Sequence, residues 1–104
     1  MQLQDELREG QLTARVLGEL GHPEAIELMA RLGRMIEDHL PARMALDLSG
    51  LEFMDSSGIA VVLQTARKCA SCGCRFWVEG APAQAKKVFD AAGIRCQAET
   101  EEKK

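Results

Sequence analysis

The stretch from Leu46 to Ala70 constrains the fold more than any other part of the chain. It reads LDLSGLEFMDSSGIAVVLQTARKCA and passes from an apolar run through a polar corner into an amphipathic pattern. The apolar run predicts a buried strand, and the pattern after the corner predicts a helix. We therefore expect a strand, a short loop, a polar corner at Asp55–Gly58 and then a helix.

Two interpretations of Ser56 and Ser57 follow from this position. A hydroxyl at a helix N-terminus is commonly a cap, because unpaired backbone N–H groups there need acceptors. The same N–H groups and the positive end of the helix dipole also favour a phosphate, so one of the two serines is alternatively a modification site. These residues alone leave both interpretations open.

Size and composition limit the classes of protein to which the chain can belong. Its 104 residues are enough for one domain, and a net charge of -3 provides no basic field for nucleic acid. No run approaches the roughly 20 apolar residues of a membrane-spanning helix. The first ten residues lack the apolar core of a secretory signal. We therefore expect a cytoplasmic domain that neither binds nucleic acid nor inserts into a membrane.

The first forty residues predict a hairpin followed by a helix. Alternating polarity over Met1–Leu7 predicts an edge strand, and Leu12–Leu17 repeats the pattern in a second strand after a tight turn. We expect Gly18–Pro23 to form a loop. The apolar spacing from Glu24 to Leu40 predicts a helix that has Leu40 on its inner face and is stopped by Pro41.

The middle of the chain predicts a central strand and a second helix. The strand Arg43–Leu48 is nearly all apolar, as is typical of the centre of a parallel or mixed sheet that helices cover. The second helix follows the polar corner and is ended by Gly73. Its predicted inner face consists of Ile59, Val62, Leu63, Ala66 and Ala70.

The last third predicts a strand at Arg75–Val78, a helix between Pro82 and Gly93, and a short strand at Ile94–Ala98. The inner face of that helix is expected to hold Ala85, Val88, Phe89 and Ala92. The fold class is therefore α/β: a mixed sheet of four or five strands with packed helices, in the order β-β-α-β-α-β-α-β. We expect residues 1–98 to form the domain and residues 99–104 to be a frayed, charged tail.

The cysteines give little indication of a metal site. Cys69, Cys72 and Cys74 lie close together in sequence, and Cys96 is distant. Zinc binding would call for a second cysteine pair or neighbouring histidines, so we expect no metal. Reduced, partly buried thiols fit a cytoplasmic chain better. A small redox protein or enzyme that uses these thiols is an alternative.

Catalytic groups do not converge in the sequence. The only histidines are His22, in the predicted loop, and His39, at a predicted helix end. Ser56 is not in a G-x-S-x-G turn, and no glycine-rich phosphate-binding loop occurs. We therefore expect no enzymatic activity and no cofactor.

Three segments together resemble the STAS domain family, specifically its anti-sigma-factor antagonists of the sporulation and stress-response type. The run DLSGLEFMDSSGIAVVL is similar to the family signature, and Gly18–Leu20 is similar to the family's G-E-L-D loop. The segment APAQAKKVFDAAG resembles the S-P-x-V-x-x-x-F-x-x-x-G-L helix. The resemblance covers nearly the whole chain and implies a STAS-type fold.

The resemblance implies a binding switch. In this family the unphosphorylated protein binds an anti-sigma factor that is itself a serine kinase of the histidine-kinase-like ATPase type, and this binding releases the sigma factor. The kinase then phosphorylates the serine that follows the aspartate, and a serine phosphatase resets it. That serine corresponds to Ser56, with Asp55, Ser57 and Gly58 shaping the corner.

The resemblance also implies a docking face for the partner. It would include Met54, Ile59 and the loop that holds Glu19, Gly21 and His22. Family members usually carry an acidic residue where this chain has Gly21, so a polar contact near the switch is expected to be missing.

Two further expectations concern assembly and class. Many relatives carry another helix after the last strand, and an apolar surface left open at that place would favour self-association as a homodimer. The alternative class is a STAS scaffold, or a subunit of a lipid-transport or transporter complex, in which the serine only caps a helix.

Overall fold

The computed structural model describes residues 1–94 of the chain. Its elements are β1 (Gln2–Arg8), β2 (Gln11–Leu20), α1 (His22–His39), β3 (Arg43–Met54), α2 (Ser57–Ser71), β4 (Arg75–Glu79) and α3 (Ala83–Ala91). They confirm the predicted order β-β-α-β-α-β-α. Ile94 is in no strand, and the rest of the predicted last strand and the charged tail lie outside the described residues.

The strands form one mixed sheet in the order β1-β2-β3-β4. β1 pairs with β2 in antiparallel fashion, whereas the β2–β3 and β3–β4 pairs are parallel. The predicted mixed sheet is therefore confirmed, as is the edge position of the first strand. Among the helices of residues 1–94, none combines the length and the apolar content needed to cross a membrane.

The core lies between one face of the sheet and the helices. Side chains alternate between the faces of a strand, and the registers Leu12↔Met44 and Ala14↔Leu46 align the apolar rows of β2 and β3. These rows share one buried cluster with helix residues that include Leu28, Leu32, Val61 and Phe89. The helices therefore pack over the face that these rows present.

Both central strands are longer than the sequence predicts. The predicted loop Gly18–Pro23 is wrong over its first half, because β2 continues to Leu20 through a register shift at Gly18, which has a φ of +92°. The predicted short loop between the central strand and the polar corner is also wrong, because β3 continues past Ser49 and Gly50 to Met54, with a second register shift opposite Arg15–Leu17. At each register shift the sheet accommodates a glycine, a residue that by composition alone would indicate a loop.

The ends of α1 differ from the prediction by one or two residues. The helix begins at His22, two residues before the predicted start, so His22 lies in its first turn and not in a loop. Placing Leu40 on the inner face is wrong: this residue is 69% exposed and adopts the left-handed conformation after the last turn. Its backbone N–H closes the helix by donating to the carbonyl of Ile36 over 2.9 Å.

The inner face of α2 is rotated relative to the prediction. Leu63 and Ala70 are exposed, so placing them in the core is wrong, whereas the prediction for Val62 is confirmed. The buried positions of this helix are Gly58, Val61, Val62, Thr65 and Cys69. In α3, Ala85 and Phe89 are buried as predicted, but Ala92 is exposed and lies beyond the helix end.

A buried carboxylate lies on the opposite face of the sheet. Asp47 is 7% exposed, and it accepts hydrogen bonds from the Arg15 Nε–H over 3.0 Å and the Ser49 backbone N–H over 2.9 Å. Burial raises the pKa of Asp47, but these hydrogen bonds outweigh it and leave the pKa below its ordinary value of 3.8. The fold therefore stabilises the charged form of Asp47.

Candidate functional site

The polar corner lies at the edge of the sheet where β2 and β3 both end. Parallel neighbouring strands bring their carboxyl ends together, and here the backbone N–H of Asp55 donates to the carbonyl of Leu20 over 3.2 Å. This contact places the segment Glu19–His22 beside the corner. The two segments singled out in the sequence are therefore neighbours in the fold.

Asp55, and not a serine, caps α2. Its carboxylate Oδ1 accepts the backbone N–H of Ser57 over 2.8 Å. Ser56 precedes the helix, but its hydroxyl makes no capping bond and has no hydrogen-bond partner within residues 1–94. Ser56 is also exposed, so its hydroxyl is accessible to another protein.

The first turn of α2 has few backbone donors left for an anion. The N–H of Ser57 is bonded to Asp55 Oδ1, the N–H of Gly58 to the Asp55 carbonyl over 3.0 Å, and the N–H of Ile59 to the Ser56 carbonyl over 3.1 Å. The expectation that unpaired N–H groups at this helix end would hold a phosphate is therefore wrong for these three groups.

Met54 supports the corner from inside. It is fully buried, and a Cβ added to Gly58 would lie 2.3 Å from its sulfur and 2.5 Å from its Cγ. Only glycine lets α2 begin this close to the Met54 side chain. Placing Met54 on the docking face is wrong, because a side chain with no exposed surface cannot touch a partner.

Gln84 is a positioning residue that the sequence analysis did not single out. Its side-chain amide accepts the backbone N–H of Met54 and donates to the Met54 carbonyl, each over 2.9 Å. The first turn of α3 is thereby joined to the last residue of β3. A lone glutamine gives no sequence signal for such a role, since its partner is backbone.

Gly21 separates two carboxylates at the rim of the corner. Its backbone N–H donates to Glu24 Oε1 over 3.0 Å, and a Cβ added to it would lie 3.2 Å from that oxygen and 3.6 Å from Asp55 Oδ2. An acidic side chain here would bring a third carboxylate into the same space. This crowding is a physical reason for the glycine.

The other predicted docking residues surround the corner. Glu19 and His22 are exposed and Ile59 is half-buried. No hydrogen bond joins His22 to Ser56 in the described part of the chain, so the two do not form a serine–histidine pair there. Phe53, which the sequence analysis did not select, is 47% exposed and adjoins the corner along β3.

Two of the three neighbouring thiols are buried in the fold. Cys69 and Cys74 are buried, whereas Cys72 is exposed at the end of α2. Burial raises the pKa of the Cys69 thiol to about 12 and also raises that of Cys74. Raised pKa values oppose thiolate chemistry. Residues 1–94 hold no cluster of three metal-ligating side chains.

Comparisons with known families place almost the whole chain in one group. The family described as "Mlab, STAS domain" matches residues 2–95. An anti-sigma F factor antagonist from Lysinibacillus sphaericus is 30% identical over 80 residues, which span 77% of this chain and 68% of that protein.

Solved structures show the same architecture. The unphosphorylated form of the anti-sigma factor antagonist SpoIIAA superposes with a TM-score of 0.79 at 26% identity, over 89% of this chain and 82% of the other. The phosphorylated form of the Bacillus cell fate determinant SpoIIAA superposes with a TM-score of 0.71 at 23% identity, over 98% of both chains. At 23% identity, the similarity to the phosphorylated form is evidence for the fold alone.

Proposed function

The chain belongs to the STAS domain family, with an anti-sigma-factor antagonist among its relatives, and we propose that it is a phosphorylation-switched antagonist of this kind. In the unphosphorylated state it binds, in the cytoplasm, an anti-sigma factor with serine kinase activity, and the sigma factor is released. The kinase phosphorylates Ser56 and so ends binding. A serine phosphatase restores the active form, and the chain itself catalyses no reaction.

One observation carries the assignment of Ser56. Its hydroxyl is exposed and has no partner among the described residues, while the neighbouring Asp55 does the capping. A serine needed as a cap would be engaged with the helix. Ser56 is instead available to a kinase, and its modification would break no hydrogen bond of the fold described here.

The arrangement supports an effect on binding without a change of fold. A phosphate adds roughly -1.5 to -2 charges at neutral pH, and it would lie beside Asp55 where three first-turn N–H groups are already bonded. The new charge is thus exposed to whatever docks there. A penalty of about 3 kcal/mol from repulsion and desolvation would weaken binding by roughly two orders of magnitude.

The docking face in this proposal surrounds the corner. It consists of Glu19, Gly21 and His22, of the exposed Phe53, which pairs with Glu19 across the sheet, and of Ile59 in the first turn of α2. An exposed aromatic side chain such as Phe53 is of a kind that is enriched at the centre of protein interfaces.

The test is a pull-down from source-cell lysate with four baits. Wild type and Ser56→Ala should recover an ATP-binding kinase, and Ser56→Asp should lose it. Ser71→Asp, which adds the same charge to an exposed serine at the far end of α2, is the matched control and should bind like wild type. With ATP and the recovered kinase, phosphate should appear on wild type and on Ser57→Ala but not on Ser56→Ala.

The competing function is a STAS subunit of a lipid-transport or transporter complex without phosphorylation. It is kept because the matching family is described as "Mlab, STAS domain" and not as an antagonist. Recovery of one membrane transport complex by all four baits would establish that function and refute the switch.

A further inference from the structure

A groove separate from the polar corner lies between α1 and α2. Its volume is about 370 Å³, and its walls come from residues 29–37 of α1 and from residues 64–68 of α2. Thr65 follows Ser56 by nine residues, which is roughly 13 Å along a helix. The groove therefore shares both helices with the corner but none of the corner's residues.

Thr65 brings an unpaired hydroxyl to this groove. The residue is 4% exposed, and its hydroxyl has no hydrogen-bond partner within residues 1–94. Buried hydroxyls are nearly always bonded, because desolvating one without a partner lowers stability. A polar atom supplied by a ligand would satisfy it.

Gly33 provides the space. It lies in the middle of α1 and lines the groove, and a Cβ added to it would meet no atom within 4 Å. Glycine is a poor helix former, and close packing does not require it here, in contrast to Gly58. Its effect is to keep the groove open.

The charges at the rim are cationic on balance. Lys68 bridges the two helices through an ion pair with Glu37, whereas Arg34 has no ion-pair partner in the described part of the chain. Apolar surface comes from the half-buried Met29 and the exposed Ala30. The lining therefore combines apolar side chains, a hydroxyl without a hydrogen-bond partner in residues 1–94 and a guanidinium that makes no ion pair within those residues.

We propose that this groove binds a small carboxylate with an apolar body, such as a medium-chain fatty acid or a single-ring acid. The apolar body would lie against Met29 and Ala30 over Gly33, and the carboxylate would pair with Arg34. The Thr65 hydroxyl would donate to a polar atom of the ligand. The volume is at the lower end of the roughly 300–1,000 Å³ range of ligand pockets, which sets the size of the ligand.

The test is a titration of the full chain with octanoate and benzoate, followed by amide chemical shifts. Saturable shifts are expected at Gly33 and Thr65 at millimolar ligand, and octanol or octylamine should bind at least about tenfold more weakly than octanoate. Absence of saturable shifts for both acids would overturn the proposal. So would equal binding of octylamine.

Variants locate the site. Gly33→Leu should fill the groove and abolish binding without loss of fold, because the position is open and leucine favours helix. Arg34→Gln should weaken binding about tenfold, while Arg67→Gln, an exposed arginine outside the groove, should not. Unchanged binding by Gly33→Leu or Arg34→Gln would refute the site.

Thr65→Val gives a second, independent readout. Without ligand it should raise the melting temperature by roughly 4 °C, because an unpaired buried hydroxyl is removed, and it should also weaken octanoate binding. A lower melting temperature would mean that the hydroxyl is bonded in the free protein and would contradict the proposal. Ser56→Asp should bind octanoate like wild type, so the site is tested independently of the switch.

Discussion

At position 58 the packing of the corner requires glycine. Gly58→Ala would drive a Cβ to 2.3 Å from the sulfur of buried Met54, and overpacking of this kind costs about 2 kcal/mol. We expect that loss in the free energy of unfolding measured with urea. Gly33→Ala is the control, because its Cβ meets nothing, and it should gain about 1 kcal/mol.

The origin of this effect can be checked by a double substitution. If the collision with Met54 is the cause, Gly58→Ala combined with Met54→Ala should be more stable than the sum of the two single losses predicts. Strict additivity would show that Gly58 is required for another reason.

The sequence locates the corner but does not decide which of its residues caps the helix. A capping residue ordinarily has an extended backbone, from which its side chain reaches forward to the first-turn N–H groups. Ser56 instead has helical angles, φ -64° and ψ -13°, so the role moves back to Asp55. Such angles follow from how β3 enters the turn, which composition does not show.

Between elements, Gln84 joins α3 to the end of β3 by two hydrogen bonds to the backbone of Met54. Gln84→Leu keeps the volume but removes both hydrogen bonds, leaving the last N–H and carbonyl of β3 without these partners. We expect a loss of about 2 kcal/mol in the free energy of unfolding and faster hydrogen exchange at the Met54 amide. The neighbouring Lys87→Leu, at an exposed position of α3, should change neither.

If Gln84→Leu exchanged its Met54 amide as slowly as wild type, α3 would not hold the end of β3. Partner capture by that variant should also fall, because the corner follows directly on Met54.

The sequence predicts which segments are helices and which are strands, but it predicts less well which helix faces are buried and where each element ends. The run Ile59–Leu63 is apolar at all five positions, so several helix faces fit it about equally, and packing against α1 selects the one with Val61 and Thr65. Ser49 and Gly50 indicate a loop by composition, yet strand pairing accommodates them as an irregularity within β3.

For the molecule as a whole, the charged form of Asp47 makes stability depend on acid. Its pKa is lowered in the fold, so its contribution is complete above the ordinary value of 3.8 and is lost as the pH falls through the lower folded value. Urea unfolding between pH 7 and pH 2 should show this loss. Asp47→Asn should be less stable at pH 7 and should lose less stability in acid.

The partner of Asp47 provides the matched variant. Arg15→Gln removes the guanidinium donor but leaves the Ser49 N–H bond, so part of the acid-dependent loss should remain. If the free energy of unfolding fell equally with decreasing pH in wild type and in Asp47→Asn, other carboxylates would set the acid stability of the fold.

The double anchoring of the corner has a kinetic consequence. The backbone N–H of Asp55 is bonded to Leu20 across the sheet, and the backbone of the preceding Met54 is bonded to the side-chain amide of Gln84. A surface already in its binding shape requires no ordering step at encounter, so association should proceed at the ordinary rate of preformed protein pairs, about 10⁵–10⁷ M⁻¹s⁻¹. The difference in binding between the two phosphorylation states would then lie in the dissociation rate of the partner, and hence in its residence time.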